Sequence, residues 1–207
     1  KSSGEKVISM PTISNYLKYL EESFLVSKVE RYDIKGRKYI STPFKYYYMD
    51  LGLRNALLNF RQFEEPHLME NAIYNELIYR GFNVDVGVVE VRKDDNGKKI
   101  RKKLEVDFVV NHASRRYYIQ SAFALRDQEK IEQEQASLLN IPDSFKKIII
   151  SGSNTPIWRN EAGITFIGLF DFMLNENSLE FWYGEFKSVY IRLVSLVVCL
   201  TFDTMNL

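Results

Sequence analysis

Apolar positions along this chain recur in two rhythms, one near 3.6 residues and one near 2, and the switches between them mark the elements. In "SMPTISNYLKYLEESFLV", Ile13, Tyr16, Leu17, Leu20 and Phe24 fall at helical spacing, which predicts a helix with one buried stripe. Pro11 suits its first turn, and Ser9 or Thr12 can cap it. "LVSKVERYDIKGRKYIS" alternates on both sides of the turn residues "DIKG" and predicts a hairpin. "KYYYMD" predicts a further strand, and Asp50 can cap a helix over "LGLRNALL".

Further on, "PHLMENAIYNELIYRGF" predicts a helix ended by Gly81. Leu68, Ala72, Asn75 and Tyr79 line one flank, and Ile73, Leu77 and Ile78 widen the apolar face. "NVDVGVVEVRK" and "KKLEVDFVV" predict strands joined at "DDNG", whose Asn-Gly pair is a strong hairpin signal. "YYIQSAFAL" predicts the next strand. "DQEKIEQEQASLLNI" predicts a helix capped by Asp127, "KKIIIS" an interior strand, and "ITFIGLFDFML" a strand running into a helix. The expected fold class is α/β: a mixed sheet flanked by helices, with a helical crossover to a parallel strand.

Candidate chemistry sits in "LEVDFVV". Strict alternation puts Glu105 and Asp107 on one face, with Val109 continuing it and Val106 and Phe108 on the other. Like charges held close and partly buried need a cation or a proton. One reading is an ordinary strand face with ion partners among Lys102, Lys103 and Arg115. The other is a site for Mg²⁺ or Mn²⁺, hard cations that take oxygen ligands and activate water against a phosphate. There Glu105 and Asp107 are the metal ligands, with help from Glu70 and Gln120.

Composition narrows the classes. The chain has 207 residues, with 45% hydrophobic and 27% charged, enough for a sizeable core. A net charge of +1 leaves nucleic-acid contact to a local patch. The single cysteine, Cys199, rules out an internal disulfide, and two histidines leave little for a histidine metal site. "LVSLVVCL" is too short to span a bilayer, so a cytoplasmic location without membrane contact is expected. The start at Lys1 reads as the C-terminal part of a longer protein.

A helix followed by a hairpin with a basic tip matches the back half of a winged helix. Ser14, Asn15 and Lys18 on the helix, with Arg31, Lys35, Arg37 and Lys38 on the hairpin, are the candidate nucleic-acid contacts. The same cations equally suit a solvated sheet edge.

The order of elements after residue 62 is that of the restriction-endonuclease-like, PD-(D/E)XK nucleases. More specifically, "TISNYLKYLEESFLVSKVERYDIKGRKY", "YYYMDLGLRNALL", "MENAIYNELIYRGFNVDVG", "EVDFVV", "YYIQSAFAL" and "ITFIGLFDFML", in this order, resemble the C-terminal region of prokaryotic AAA-type ATPases, including the archaeal ATPase group. The resemblance implies a partial winged helix over 1–62, a restriction-endonuclease-like domain over 63–175, and an extension of unassigned role over 176–207. It implies ATP binding only in an upstream domain, because no G-x-x-x-x-G-K-[ST] loop is present here. It implies DNA and the upstream ATPase domain as partners, and leaves homo-oligomer formation open. In the nuclease pattern Asp107 takes the place of the Asp, Gln120 that of the second acid and Ala122 that of the Lys; Glu70 supplies the early-helix acid. Gln120 offers a carbonyl but no charge, and Ala122 offers no cation. Lys103 or Lys130 would have to substitute. The alternative to a nuclease is a silent module that recognises DNA or a partner protein and signals to the ATPase.

Overall fold

The computed structural model describes residues 8–62, 64–95, 98–153 and 155–180. Helix α1 (Met10–Glu22) is capped by Ser9, whose hydroxyl accepts from the Thr12 amide. It leads into a hairpin, β1 (Val26–Asp33) and β2 (Lys38–Tyr48). The Asp33 carboxylate closes the turn on the Gly36 amide. Asp50 caps α2 (Leu51–Leu57) by accepting from Leu53 N. Then follow α3 (Glu65–Tyr79), β3 (Asn83–Asp95), β4 (Lys98–His112) and β5 (Arg115–Ala122). α4 (Gln128–Leu139), capped by Asp127, precedes β6 (Lys146–Ser151). β7 (Trp158–Arg159), β8 (Thr165–Gly168) and α5 (Leu169–Leu174) complete the described chain.

One mixed sheet of eight strands runs β2-β1-β3-β4-β5-β6-β8-β7. β1 joins β3 in parallel, as β5 joins β6 and β6 joins β8; the other neighbours are antiparallel. The sheet shows no break near residue 62. The hairpin read as the wing of a winged helix forms the outer strands of the same sheet as the residues beyond it. "KYYYMD" is the end of β2 and not a strand of its own. Of the extension read over 176–207, residues 181–207, with Cys199, lie outside the described residues.

Each face of the sheet has its own apolar layer. On one, Met69, Ile73, Tyr74 and Leu77 of α3 and Phe172 of α5 cover Phe108, Val110, Ile119, Ile148 and Ile150. On the other, Leu138 of α4 packs with Val106, Val109, Tyr118, Ala122, Ile149 and Phe166. Tyr79, expected on the packed flank of α3, is exposed. Asn71, unremarked in the sequence, is buried on α3 instead. Its amide accepts from Tyr48 N at 2.9 Å and donates to Tyr48 O at 2.8 Å, so a side chain continues the edge of β2 and ties it to α3.

Val106 and Val109 are three apart yet share a layer, while Phe108 lies in the opposite one. The pairing explains this. Asp85 faces Val109 and Gly87 faces Val106, so two steps on β3 match three on β4. A bulge at Asp107–Phe108 breaks the alternation expected there and puts Val109 on the face opposite the one predicted. Gly87 accommodates the bulge. A Cβ there would come within 2.8 Å of Val109 Cγ2 and 2.9 Å of both Ile34 Cδ1 and Val106 Cβ. Gly87→Ala is therefore expected to destabilise the protein by about 1–3 kcal/mol through overpacking. Urea unfolding measures it, and an unchanged midpoint would contradict the bulge geometry.

α1 departs from its predicted burial. None of its residues is buried, and Ile13, Tyr16, Leu20 and the following Phe24 are exposed. The helical spacing is real, but the described residues do not cover the stripe.

Candidate functional site

The acids meet on the α3 side of the sheet. Glu70 enters from the second turn of α3, Glu105 and Asp107 from β4, and Lys45 and Tyr47 from one face of β2. Lys45 Nζ lies 2.6 Å from Glu70 Oε1 and 3.0 Å from Glu105 Oε1. Tyr47 donates its hydroxyl to Glu70 Oε1 at 2.6 Å. Arg31 of β1 donates to Glu105 Oε2 and, through Nε, to the Pro43 carbonyl. Asp107 reaches sideways at the bulge, where Oδ2 accepts from the Ser121 amide at 2.8 Å. The ladder between β4 and β5 extends only to Phe108 and Ile119. Asp107 thus holds the two strands together where their backbones part.

The electrostatics follow from these contacts. Burial works to raise Glu105, but Lys45 and Arg31 outweigh it and hold the carboxyl below its ordinary value. Burial likewise opposes the Lys45 ammonium, and Glu70, with Asp107 and Glu105, more than restores it, so its pKa is raised. Burial, then the charge of Glu70, pushes Tyr47 far above its ordinary value and keeps it a hydroxyl donor. Asp107 goes up to about 7: burial comes first, then repulsion from Glu70, against the pull of Lys45 and the Ser121 amide. The positively charged partners are Lys45 and Arg31, not the Lys102, Lys103 or Arg115 considered from sequence; Arg115 pairs with Glu180.

Gln120 does not join this group through its side chain. By alternation it shares a face with Tyr118 and Ala122 in the α4 layer, and its Oε1 accepts from Ser137 Oγ on α4 at 3.4 Å. It lines a cavity of about 470 Å³ with Glu105, Arg92, Lys102, Ser137 and Asn140. Ala122 is buried apolar packing. Lys130 is paired with Glu134 at 2.5 Å, one turn along α4. Lys103 lines a smaller cavity beside Arg31 and Glu105.

A divalent ion does not fit this donor set as it stands. Among the described residues, no three His, Cys, Asp or Glu side chains are grouped to hold a metal ion. Mg²⁺ requires oxygens at about 2.0–2.1 Å in a near-octahedral shell. Here an ammonium already bridges Glu70 and Glu105, and Gln120 turns to the other layer.

The nucleic-acid candidates divide. Ser14, Asn15, Lys18, Arg37 and Lys38 are exposed, with Lys18 beside Glu22 at 3.6 Å. Arg31 is committed to Glu105 and Pro43, and Lys35 donates to the Glu90 carbonyl. No helix among the described residues is long and apolar enough to cross a membrane.

Residues 2–64 match a family described as a domain of unknown function, DUF8612. That match ends where α3 begins. An uncharacterized protein of Haemophilus influenzae is 36% identical over 141 residues, which cover 68% of this chain and 32% of that protein. The matched part thus spans about a third of that relative's length. No solved structure matches the chain significantly.

Proposed function

We propose that this chain is a catalytically silent recognition module of a larger AAA-type ATPase, with a restriction-endonuclease-like sheet used as a scaffold for contact. The observation that carries this reading is the direction of Gln120. At the position of the second catalytic acid stands an uncharged amide turned to α4, and at the position of the lysine stands buried Ala122. No general base, metal shell or free cation is assembled from these positions around a phosphate.

Two further observations fit a contact role. α1 and the following Phe24 present Ile13, Tyr16, Leu20 and the Phe24 ring in the open, a surface suited to protein and not to a phosphate backbone. The Haemophilus influenzae relative has about two thirds of its length outside the matched region, room for a further domain of the kind the resemblance implies. Lys18, Arg37 and Lys38 then supply at most a weak, salt-sensitive attraction to DNA.

The test is a cleavage gel on plasmid and single-stranded DNA with Mg²⁺, with Mn²⁺ and with EDTA. Wild type and Asp107→Ala are expected to be indistinguishable, with no cutting above buffer. Cutting by wild type that Asp107→Ala loses would make the protein a nuclease and end this reading.

A further inference from the structure

α4 turns a polar face towards the sheet. Gln133, Ala136, Ser137 and Asn140 recur at the spacing of one helix face, and all four line the cavity of about 470 Å³ that Gln120 reaches from β5. Val91 of β3 and Leu104 of β4, both packed in the α4 layer, give this cavity an apolar wall. Leucines at the α4 positions would fill the space; amide and small side chains leave it open, at a volume within the range of small-ligand sites. Val91 faces Lys102 across the two strands, so Lys102 shares the α4 side, and Arg92 lines the same space. Neither cation has an acid partner among the described residues. The two acids of the lining are already paired, Glu105 with Arg31 and Lys45, and Glu134 with Lys130. The charge left uncompensated at the cavity is therefore positive. Gln120 keeps its amide nitrogen without a partner among the described residues, and its Oε1 has only the long contact with Ser137 Oγ. Cations of this kind take a carboxylate, and neutral carboxamides both donate to and accept from peptide groups. No aromatic side chain lines the cavity, so a nucleobase would find no ring to stack on.

We propose that the cavity between α4 and strands β3, β4 and β5 is a binding site for an acidic side chain of a partner peptide. Its carboxylate meets Lys102 and Arg92, its methylenes lie on Val91 and Leu104, and its flanking peptide groups meet the carboxamides of Gln120, Gln133 and Asn140. The inference rests on the silent-module reading and deepens it, because it gives the partner a chemistry and gives Gln120 a use on the α4 side.

The experiment is an amide-detected NMR titration of the full chain with N-acetyl-glutamate α-amide, a single blocked acidic residue. N-acetyl-glutamine α-amide and adenosine monophosphate are the comparisons. The acidic probe is expected to shift the amides of Lys102, Leu104, Gln120 and Ser137 and to saturate with a Kd of roughly 1 mM, the range for so small a ligand. The glutamine probe should bind about fivefold more weakly, the difference between a charged and a neutral hydrogen-bond partner. Lys102→Gln, at an exposed position, should weaken the acidic probe by a similar factor and leave the rest of the spectrum in place. Ser137→Leu, which fills the cavity, should abolish the shifts; where it folds poorly, Lys102→Gln decides. Equal binding of the two blocked residues, shifts confined to other parts of the molecule, or none up to roughly 20 mM would overturn the proposal. Tighter binding of adenosine monophosphate at the same amides would overturn it as well and assign the cavity to a nucleotide. DNA cleavage by a wild type that binds the acidic probe would sink only the functional reading. A wild type that neither cleaves DNA nor binds the probe would sink this inference alone.

Discussion

Lys45→Met in metal-free buffer is expected to lose about 3–5 kcal/mol of stability, the cost of removing one partner from a buried ion pair and leaving the other charged. The loss comes mainly from Glu70, whose side chain is 13% exposed and whose other close partner is the Tyr47 hydroxyl. Glu105 contributes less, since it is nearer solvent and keeps Arg31. This division gives a sharper test than the single variant. Lys45→Met/Glu70→Gln removes the stranded charge, so it should be more stable than Lys45→Met by at least about 1 kcal/mol. Urea unfolding at neutral pH reads both. A single variant within about 0.5 kcal/mol of wild type, as for ordinary surface substitutions, would show that the cluster is not held by Lys45.

Stability should also fall as pH rises from about 5 to 8. Asp107 ordinarily titrates near 3.8 and is pushed up to about 7 in the folded protein. Between those values the folded state keeps a proton that the unfolded state has released, so raising the pH favours unfolding. The contribution is present in full below the unfolded value and is lost as pH passes through about 7. Its slope is at most about 1.4 kcal/mol per pH unit. Glu105 acts with the opposite sign, because its carboxyl is lowered. Its contribution is present above its ordinary 4.5 and disappears only in more acidic solution, outside this window. Asp85 is raised by burial in the same direction as Asp107, so a variant is needed to isolate the effect. Asp107→Asn keeps an oxygen for the Ser121 amide and cannot ionise. It should flatten the profile and exceed wild type at pH 8. Parallel profiles for the two proteins would place the pH dependence elsewhere.

The elements themselves were legible because their causes are local. Ser9, Asp50 and Asp127 cap the helices that they precede in sequence, and "DIKG" turns where its residues require it. Of the candidate acids, Glu70 and Glu105 meet through the Lys45 ammonium, whereas Asp107 turns to the Ser121 amide. Those partners were not legible. Lys45 is 25 residues from Glu70 and 60 from Glu105, and nothing near it in the chain marks it as different from other lysines on a hairpin. The exposure of α1 was misread for the same reason: spacing shows that a helix has an apolar stripe, not that something covers it.

By itself the sequence determined the order and type of most of the elements, the α/β class and the residues able to carry charge chemistry, because period, capping and turn geometry act over a few residues. Tertiary structure alone decided what the charges do. A one-residue bulge opposite Gly87 turned Val109 to the other layer and sent Asp107 sideways to Ser121. The same sheet order brought the β2 ammonium between acids of α3 and β4. Strand register and long-range pairing set these positions, and both depend on contacts between residues far apart in the chain.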